Sequence, residues 1–479
     1  MTIEKNSFKN EKLPSILDRA AQRHGLQQSW SSRSEPAAVR SGPSILDLAL
    51  KVPETALPVP QSSSICPAVR FRIPSLRRIK RFVVLPLLAL LIPAWVFAQE
   101  TPFLTNNVSG YLKSLNFFTR STGLTPELAS SPLALAEREE SLFSTLERFR
   151  LKLRSTLNLN EKHRVKVKID YDHQATFGSF VASGDFRLAN NFTENRQFLD
   201  LSQTLVEKES AYYEHRLYRA SVEYENDYFS LEVGRQQIPW GVGRFFTPTD
   251  LFNPFSPTQI ELEERDGVDA VNFRTRRYKG YDLQFIYTPR GRSTMHPYRY
   301  LGRVTKDIEG YEIGLLGGRI WQDYVYGFDF QGNIGSTAVR GGFIYREARH
   351  EKDFIKFTVN ADYNFPHNIY GLLEYHFNGQ GRRNRKDYQL DRFLKGDIQQ
   401  LAKNYLASML GHNLTPLLRL EGRAIFNMDD QSFFLRPEIR YEWRPDVLFT
   451  LASQLYLGGA GEEFGRPENL YLGEMLYSF

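Results

Sequence analysis

The chain has 479 residues, of which 24% are charged and 14% aromatic, and its formal net charge is +6. Residues 1–98 contain 14 Lys and Arg against 6 Asp and Glu, a net charge of +8, so the other 381 residues carry −2. This distribution does not imply a basic surface for nucleic acid. The only cysteine is Cys66, so the downstream chain has no disulfide framework and no thiolate metal site.

Residues 70–98 have the three parts of a secretory signal peptide. A basic block from Arg70 to Arg81 precedes the apolar run from Phe82 to Phe97, and Ala98 ends a cleavage site. A membrane anchor is the alternative, but the run contains two prolines and is shorter than the roughly 20 residues that a helical span needs. Residues 1–69 are rich in Ser, Pro and Ala, and we interpret them as a disordered or mis-annotated leader.

After residue 98, apolar and polar residues alternate in segments bounded by turns. This alternation predicts β-strands with one apolar and one polar face. The predicted strands are 110–120, 148–154, 163–173, 218–225, 229–234, 268–277, 281–287, 298–307, 310–320, 323–331, 337–346, 354–363, 369–378, 405–412, 417–427, 433–443, 447–457 and 470–479. Residues 121–146 are interpreted as a loop with helical character at 133–140, and residues 174–210 as a polar loop.

The predicted strands are joined alternately by short turns and by longer charged loops. The short turns are Asn226-Asp227, Lys279-Gly280, Ile308-Glu309, Asn364–Asn368, Asn413–Pro416 and Arg444–Asp446. This pattern predicts an all-β fold over residues 99–479: a transmembrane antiparallel β-barrel of about 18 strands, with 16 as the alternative count. A soluble sandwich has the same alternation, but the export signal and the aromatic last strand favour a barrel in outer-membrane lipid. Tyr477 and Phe479 on that strand are interpreted as the signal for the barrel-assembly machinery.

A barrel of this size has a lumen too wide for side chains alone to fill. We expect the loop from Pro239 to Asp266 to narrow it, because the loop is rich in proline and in aromatic residues that favour burial. Its charged and polar residues would then set ion preference. The candidate constriction residues are Arg235, Trp240, Arg244, Asp250, Asn253, Glu261, Glu263, Glu264, Arg265 and Asp266. The alternative is a loop packed on the rim.

Basic residues recur on the polar faces of several predicted strands. The candidate pore-lining residues are Arg148, Arg150, Lys152, Arg154, Lys166, Lys168, Arg274, Arg276, Arg436 and Arg440. Such a ladder would attract anions. Asp170, Glu223 and Glu438 lie on the same faces, so mutual neutralisation by ion pairs is the alternative.

Three motifs carry a resemblance to known proteins. They are Gly234-Arg235-Gln236, Pro239-Trp240-Gly241 and Asp250-Leu251-Phe252-Asn253-Pro254-Phe255. They resemble motifs of porin-like outer-membrane families of Gram-negative bacteria, which are similar in architecture to the alginate-export barrel. The resemblance implies a channel fold and identifies no solute, and the mixed charges do not match a strongly cationic conduit.

The sequence contains none of the familiar motifs of enzymes. It has no His-Glu-x-x-His, no Gly-x-Ser-x-Gly, no phosphate loop and no paired-cysteine site, so we expect no catalysis, cofactor or metal. The leading hypothesis is an outer-membrane channel for passive diffusion or export of small polar solutes, with a lean towards anions. The rival is a surface polysaccharide-binding or export-associated barrel with a plugged lumen, and an outer-membrane hydrolase ranks third.

Overall fold

The computed structural model describes residues 103–120, 141–186, 197–252, 256–261, 265–276, 280–291, 298–394, 398–465 and 467–479. The interpretations of residues 1–98 and of helical character at 133–140 lie outside these ranges. No helix within them is long and apolar enough to cross a membrane.

The described residues form nineteen strands. They are β1 (Leu104–Arg120), β2 (Ser141–Asn158), β3 (Arg164–Phe177), β4 (Ser202–Lys208), β5 (Ala211–Glu225), β6 (Phe229–Gln236), β7 (Val268–Thr275), β8 (Tyr281–Thr288), β9 (Arg299–Ile308), β10 (Tyr311–Ile320), β11 (Asp323–Ile334), β12 (Thr337–Glu347), β13 (Phe354–Phe365), β14 (Ile369–Asn378), β15 (Asn404–Thr415), β16 (Leu418–Asn427), β17 (Phe433–Arg444), β18 (Val447–Leu457) and β19 (Leu470–Ser478). A short helix, α1 (Leu390–Leu394), lies between β14 and β15.

The strands form one closed antiparallel sheet. Apart from β4, each strand pairs with its neighbours in the chain, and β1 also pairs with β19, from Tyr111 opposite Ser478 to Phe118 opposite Tyr471. Within the described residues, both edges of every strand are paired except those of β4, which pairs only with β5, and such closure is the condition for a sheet in hydrocarbon. The predicted barrel fold is therefore confirmed.

The barrel wall has eighteen strand positions because β4 and β6 share one. β3 pairs with the whole length of β5, so both β4 and β6 must use the other edge of β5. β6 pairs with β5 from Ala220 to Glu225, and β4 pairs with it from Ala211 to Arg216. The interpretation of residues 174–210 as loop alone was therefore wrong for β4. Its sequence has no regular alternation, and it becomes a strand because β5 extends beyond β6.

Two other local interpretations need correction. Residues 141–146 are strand rather than loop, because β1 extends to Arg120 and pairs there with Ser141. The turn between β9 and β10 consists of Glu309 and Gly310 rather than Ile308 and Glu309. Both turn residues have positive φ, at 54° and 84°, as a two-residue hairpin turn of the primed type requires.

The two faces of the wall differ as the alternation predicts. On β14, Leu373 is 55% exposed, whereas its neighbours Leu372 and Glu374 are 5% and 0% exposed. Apolar side chains cover the outer face on strands all around the barrel, among them Leu112, Val222, Val233, Leu315, Leu410 and Leu451. The inner face carries most of the charged strand residues, which form ion pairs with one another.

The two ends of the barrel also differ. At one end, here called the short-turn end, the connections 226–228, 309–310, 335–336, 366–368 and 445–446 contain two or three residues. β1 begins and β19 ends there. The opposite end, the long-loop end, carries the connections 237–267, 379–403 and 458–469.

Candidate functional site

Residues 237–267 connect β6 to β7, and we call them the lumen loop. The loop bonds to inward-facing side chains on widely separated strands: Gln284 of β8, Glu374 of β14, Arg436 of β17, Gln454 of β18 and Arg148 of β2. These strands lie on different sides of the barrel, so the loop crosses the lumen. Its role as a constriction stays a prediction, which the geometry below makes specific.

Glu374 anchors the first part of the loop. Its Oε1 accepts hydrogen bonds from the backbone N–H groups of Phe245 (3.1 Å) and Phe246 (2.7 Å). Its Oε2 accepts from the N–H of Arg244 (2.6 Å) and from Nδ2 of Asn360 (3.1 Å). The carboxylate is fully buried, and four donors replace the water that it loses. The loop backbone is thereby fixed to the inner wall.

An apolar cluster on one side of the lumen holds the start of the loop. Trp240 is 1% exposed, packs edge-on against Phe252 at 5.0 Å between ring centroids, and donates Nε1–H to Gln284 Oε1 at 3.0 Å. Ile286 and Leu301 on the wall belong to the same cluster. Trp240 therefore works as a structural anchor and is shielded from the open space of the lumen.

A second cluster forms where the loop reaches the opposite wall. Phe245 and Phe246 are buried among Leu372, Tyr405 and Phe434. The ring of Phe246 also stacks on His376 of β14 at 4.5 Å between centroids. These two clusters fill part of the lumen with side chains, so the open space lies beside them.

Charge pairs hold the last part of the loop. Glu261 bonds to both terminal nitrogens of Arg148, at 2.7 and 2.8 Å, and to Lys113 Nζ at 3.3 Å. Burial alone would raise the pKa of the Glu261 carboxyl, but Arg148 and Lys113 outweigh it and lower the pKa to about 2. Glu261 is therefore ionised at neutral pH. Asp250 and Arg265 form another ion pair within the loop.

A cavity of about 1280 Å³ runs beside the lumen loop. It extends from Arg392 at the long-loop end into the barrel as far as Lys152 and Ser478, which stands opposite Tyr111 on β1. Its lining includes ten Lys and Arg side chains and six Asp and Glu side chains. The lumen thus contains a space along the loop whose walls are both apolar and charged, with more positive than negative groups.

Arg150 illustrates how the wall holds its cations. It is 1% exposed and makes a two-pronged contact with Asp172, with both N–O distances at 2.5 Å. Its guanidinium carbon lies 3.7 Å from the ring centroid of Tyr218. Arg216 approaches the same carboxylate at 3.5 Å. Asp172 therefore offsets two cations at once.

Most other predicted pore-lining cations also have carboxylate partners. The pairs are Arg154–Asp170, Lys166–Glu225, Lys168–Glu223, Lys168–Glu232, Arg276–Glu225, Arg436–Glu438 and Arg440–Glu438. Arg274 is exposed, and Lys152 lies over the ring of Tyr111 at 5.3 Å. This arrangement supports mutual neutralisation of charge along much of the row of predicted pore-lining cations. Anions would be attracted only where cations outnumber carboxylates.

Some predicted constriction residues lie elsewhere. Arg235 bonds to Asp269 at 3.0 Å and donates to the carbonyls of Leu199 and Leu217, so it braces the segment before β4. Arg244 contributes its backbone N–H to the loop anchor, while its side chain is exposed. Asp266 lines the cavity. Asn253, Glu263 and Glu264 lie outside the described residues. Tyr477 and Phe479 are exposed at the seam where β19 meets β1.

Sequence reasoning named Arg148 and Arg436 as pore-lining but missed the other wall partners of the loop. Glu374, Gln284 and Lys113 each stand on the polar face of a strand, and that position marks them as inward-facing. No local signal links Glu374 to Phe246, because 128 residues separate them.

Within the described ranges, no group of three or more His, Cys, Asp or Glu side chains could hold a metal ion.

No family model matches the chain, and no curated protein matches it. Among solved structures, it is similar to OccAB4 of Acinetobacter baumannii (8% identity, TM-score 0.47, covering 79% of this chain and 99% of that one). It is also similar to OccD3 (OpdP) of Pseudomonas aeruginosa (11% identity, TM-score 0.46, covering 79% of this chain and 93% of that one). A third similar structure is a triple mutant of the Rhodopseudomonas blastica porin, with 9% identity and a TM-score of 0.40, covering 78% of this chain and 100% of that one. The resemblance to the alginate-export barrel stays an expectation.

Proposed function

We propose that this chain is a passive channel of the Gram-negative outer membrane for small polar solutes. The observation that carries the proposal is the cavity beside the lumen loop, which extends from Arg392 at the long-loop end into the closed barrel as far as Lys152 and Ser478 and has charged groups on its walls. A barrel of eighteen wall positions encloses more space than its wall side chains fill. The lumen loop narrows that space and leaves charged side chains on its walls.

The outer face supports a membrane location. Leu315, Leu373, Leu410 and Leu451 are each at least 55% exposed on strands from different parts of the wall. Water would penalise this much apolar surface, whereas lipid accepts it. The short-turn end would face the periplasm and the long-loop end the exterior, after export directed by residues 70–98. Assembly through Tyr477 and Phe479 on the last strand belongs to the same proposal.

The lining of the cavity supports a preference for anions. Ten Lys and Arg groups face six Asp and Glu groups there, and fixed charges act strongly where water is scarce. The excess is moderate because most wall cations are paired. We therefore propose weak anion selectivity over a broad range of small solutes.

Planar-bilayer recording of the purified protein tests the proposal. We expect stepwise ion currents and, in a salt gradient, a reversal potential on the anion-selective side. Absence of currents from protein that has folded and inserted would overturn the channel proposal. A cation-selective reversal potential would overturn the proposed selectivity alone.

A glycan-binding surface module is the second candidate. The connection 379–403 presents Arg383 and Lys386 to solvent at the long-loop end, where they could contact an anionic polysaccharide. Silence in bilayers together with polysaccharide binding that is lost in an Arg383→Ala/Lys386→Ala variant would favour this module over the channel.

A further inference from the structure

Four cations gather where the cavity approaches the long-loop end. Arg299, Arg346 and Lys356 come from β9, β12 and β13, and Arg392 comes from α1. Arg346 pairs with Asp323 at 2.7 Å and Arg392 with Glu351 at 3.0 Å. Among the described residues, Arg299 and Lys356 have no ion-pair partner within 4 Å. This part of the cavity therefore has uncompensated positive charge.

The charges around these two groups confirm the imbalance. The charged side chains that act most on Lys356 are those of Arg346 and Arg392, both cations. Arg346 also acts on Arg299, and the carboxylate that opposes it, Asp250, is already paired with Arg265. Like charges that act on one another in a half-buried space favour a bound anion.

Unpartnered polar groups point to the same place. Oγ1 of Thr247 on the lumen loop, Nε2 of His376 and Nε of Arg299 are buried without a hydrogen-bond partner in the part of the chain that the structure describes. Thr247 and His376 are 7% and 2% exposed, and both line the cavity. Such groups are uncommon in folded proteins and call for a specific explanation.

Apolar side chains lie next to the charged groups. Lys356 Nζ is 5.5 Å from the ring centroid of Phe354, and Phe246, Ile344 and Phe393 line the same cavity. A ligand here would meet positive charge at one end and aromatic or aliphatic surface along its body. Small-molecule sites commonly combine a few polar groups with apolar walls in this way.

We propose that Arg299, Arg346, Lys356 and Thr247 form a binding site, the vestibule site, for a small organic anion with an apolar body. A carboxylate matches the planar guanidinium groups and accepts from the Lys356 ammonium, while the body packs against Phe246 and Phe354. The site lies beside the lumen loop, so a solute entering from the long-loop end meets it before passing the loop. Its part in transport rests on the proposed channel function, whereas binding itself needs only the folded barrel.

Titration calorimetry on the full chain in detergent tests the site without requiring conduction. The probes are benzoate, which has both head and body, inorganic phosphate, which has only the charge, and benzylammonium, which has the body with the opposite charge. We expect benzoate to bind more tightly than phosphate and benzylammonium not to bind. If phosphate binds as tightly as benzoate, the site does not recognise an apolar body. If benzylammonium binds, the site does not select for negative charge.

Substitutions locate the binding. Lys356→Met should weaken benzoate binding about tenfold or more, because it removes a charge-assisted hydrogen bond. Lys356→Arg retains the charge and should restore most of the affinity. Lys168→Met is the matched control, since Lys168 is an inward-facing lysine already paired with Glu223 and Glu232. Equal benzoate affinity in wild type and in folded Lys356→Met would overturn the site.

Bilayer recording separates this inference from the channel proposal. Conduction without Lys356-dependent benzoate binding would remove the vestibule site and leave the channel. Lys356-dependent binding in a barrel that does not conduct would remove the channel and leave the site.

Discussion

Replacing Glu374 by Gln should loosen the lumen loop while leaving the barrel wall intact. The Glu374 carboxylate accepts three backbone N–H groups of the loop, from Arg244, Phe245 and Phe246. A glutamine retains one oxygen and places an NH₂ group where the other stood. With the oxygen towards Phe245 and Phe246, the new NH₂ faces the N–H of Arg244, and two donors then oppose each other.

The magnitude follows from the bond that is lost. The contact between Arg244 N–H and Glu374 Oε2 is short, at 2.6 Å, and the substitution leaves this N–H without an acceptor. A donor left unsatisfied in a buried site costs about 1–3 kcal/mol. Since about 1.4 kcal/mol corresponds to a factor of ten, the population of displaced loops should rise about ten- to a hundredfold. Trp240 and Glu261 still hold the two ends of the loop.

Single-channel recording measures this change. We expect Glu374→Gln to show more frequent transitions to a larger conductance, because a displaced loop widens the path. Glu421→Gln is the matched control. Glu421 is also a buried, inward-facing carboxylate, but it bonds to Arg419 and Arg423 on the wall.

One result would refute the reasoning. If folded Glu374→Gln has the conductance and current noise of wild type, the Glu374 contacts do not determine the position of the loop. A change of equal size in Glu421→Gln would show that any lost lumen carboxylate has this effect, and the loop would lose its special role.

Three further predictions concern the loops. Glu261→Gln should shift the reversal potential towards anions, because the low pKa of Glu261 keeps its carboxylate charged at neutral pH. An unchanged reversal potential in the variant would exclude Glu261 from the ion path. Trp240→Ala should lower the temperature at which the barrel unfolds, measured by the change in its mobility on a denaturing gel after heating, since removing a buried tryptophan costs about 3–5 kcal/mol. An unchanged unfolding temperature would contradict the anchoring role of Trp240. Burial raises the pKa of Glu463, in the connection after β18, to about 7, despite hydrogen bonds from the Leu401 N–H and the Tyr405 hydroxyl. Since the folded pKa lies above the ordinary value, the stability that the neutral form contributes is complete below pH about 4.5 and is lost as pH rises through 7. Protease cleavage of residues 458–469 should therefore increase between pH 5 and pH 8 in wild type and vary less with pH in Glu463→Gln.

The sequence by itself determined the kind of wall that this chain builds. Alternation is a local property: each residue in a strand faces inward or outward according to its own position, and lipid selects apolar side chains on one side only. Val222, between Ser221 and Glu223, is assigned to the outer face in this way without knowing which strands lie beside it. The signal failed for β4, which has no alternation and is a strand only because β5 extends past β6.

Tertiary structure decided which side chains from distant parts of the chain contact one another. Register and closure bring Glu374 to the N–H groups of the lumen loop, pair Arg150 with Asp172, and place Arg235 against Asp269 instead of in the lumen. The ion pairs of the inner wall likewise depend on the register that places residues of adjacent strands side by side. A carboxylate in a polar stripe looks the same in sequence whether its partner is a wall cation, a loop backbone or water. The difference arises only when the chain closes, because the energy of a buried charge is determined by the groups that replace its water.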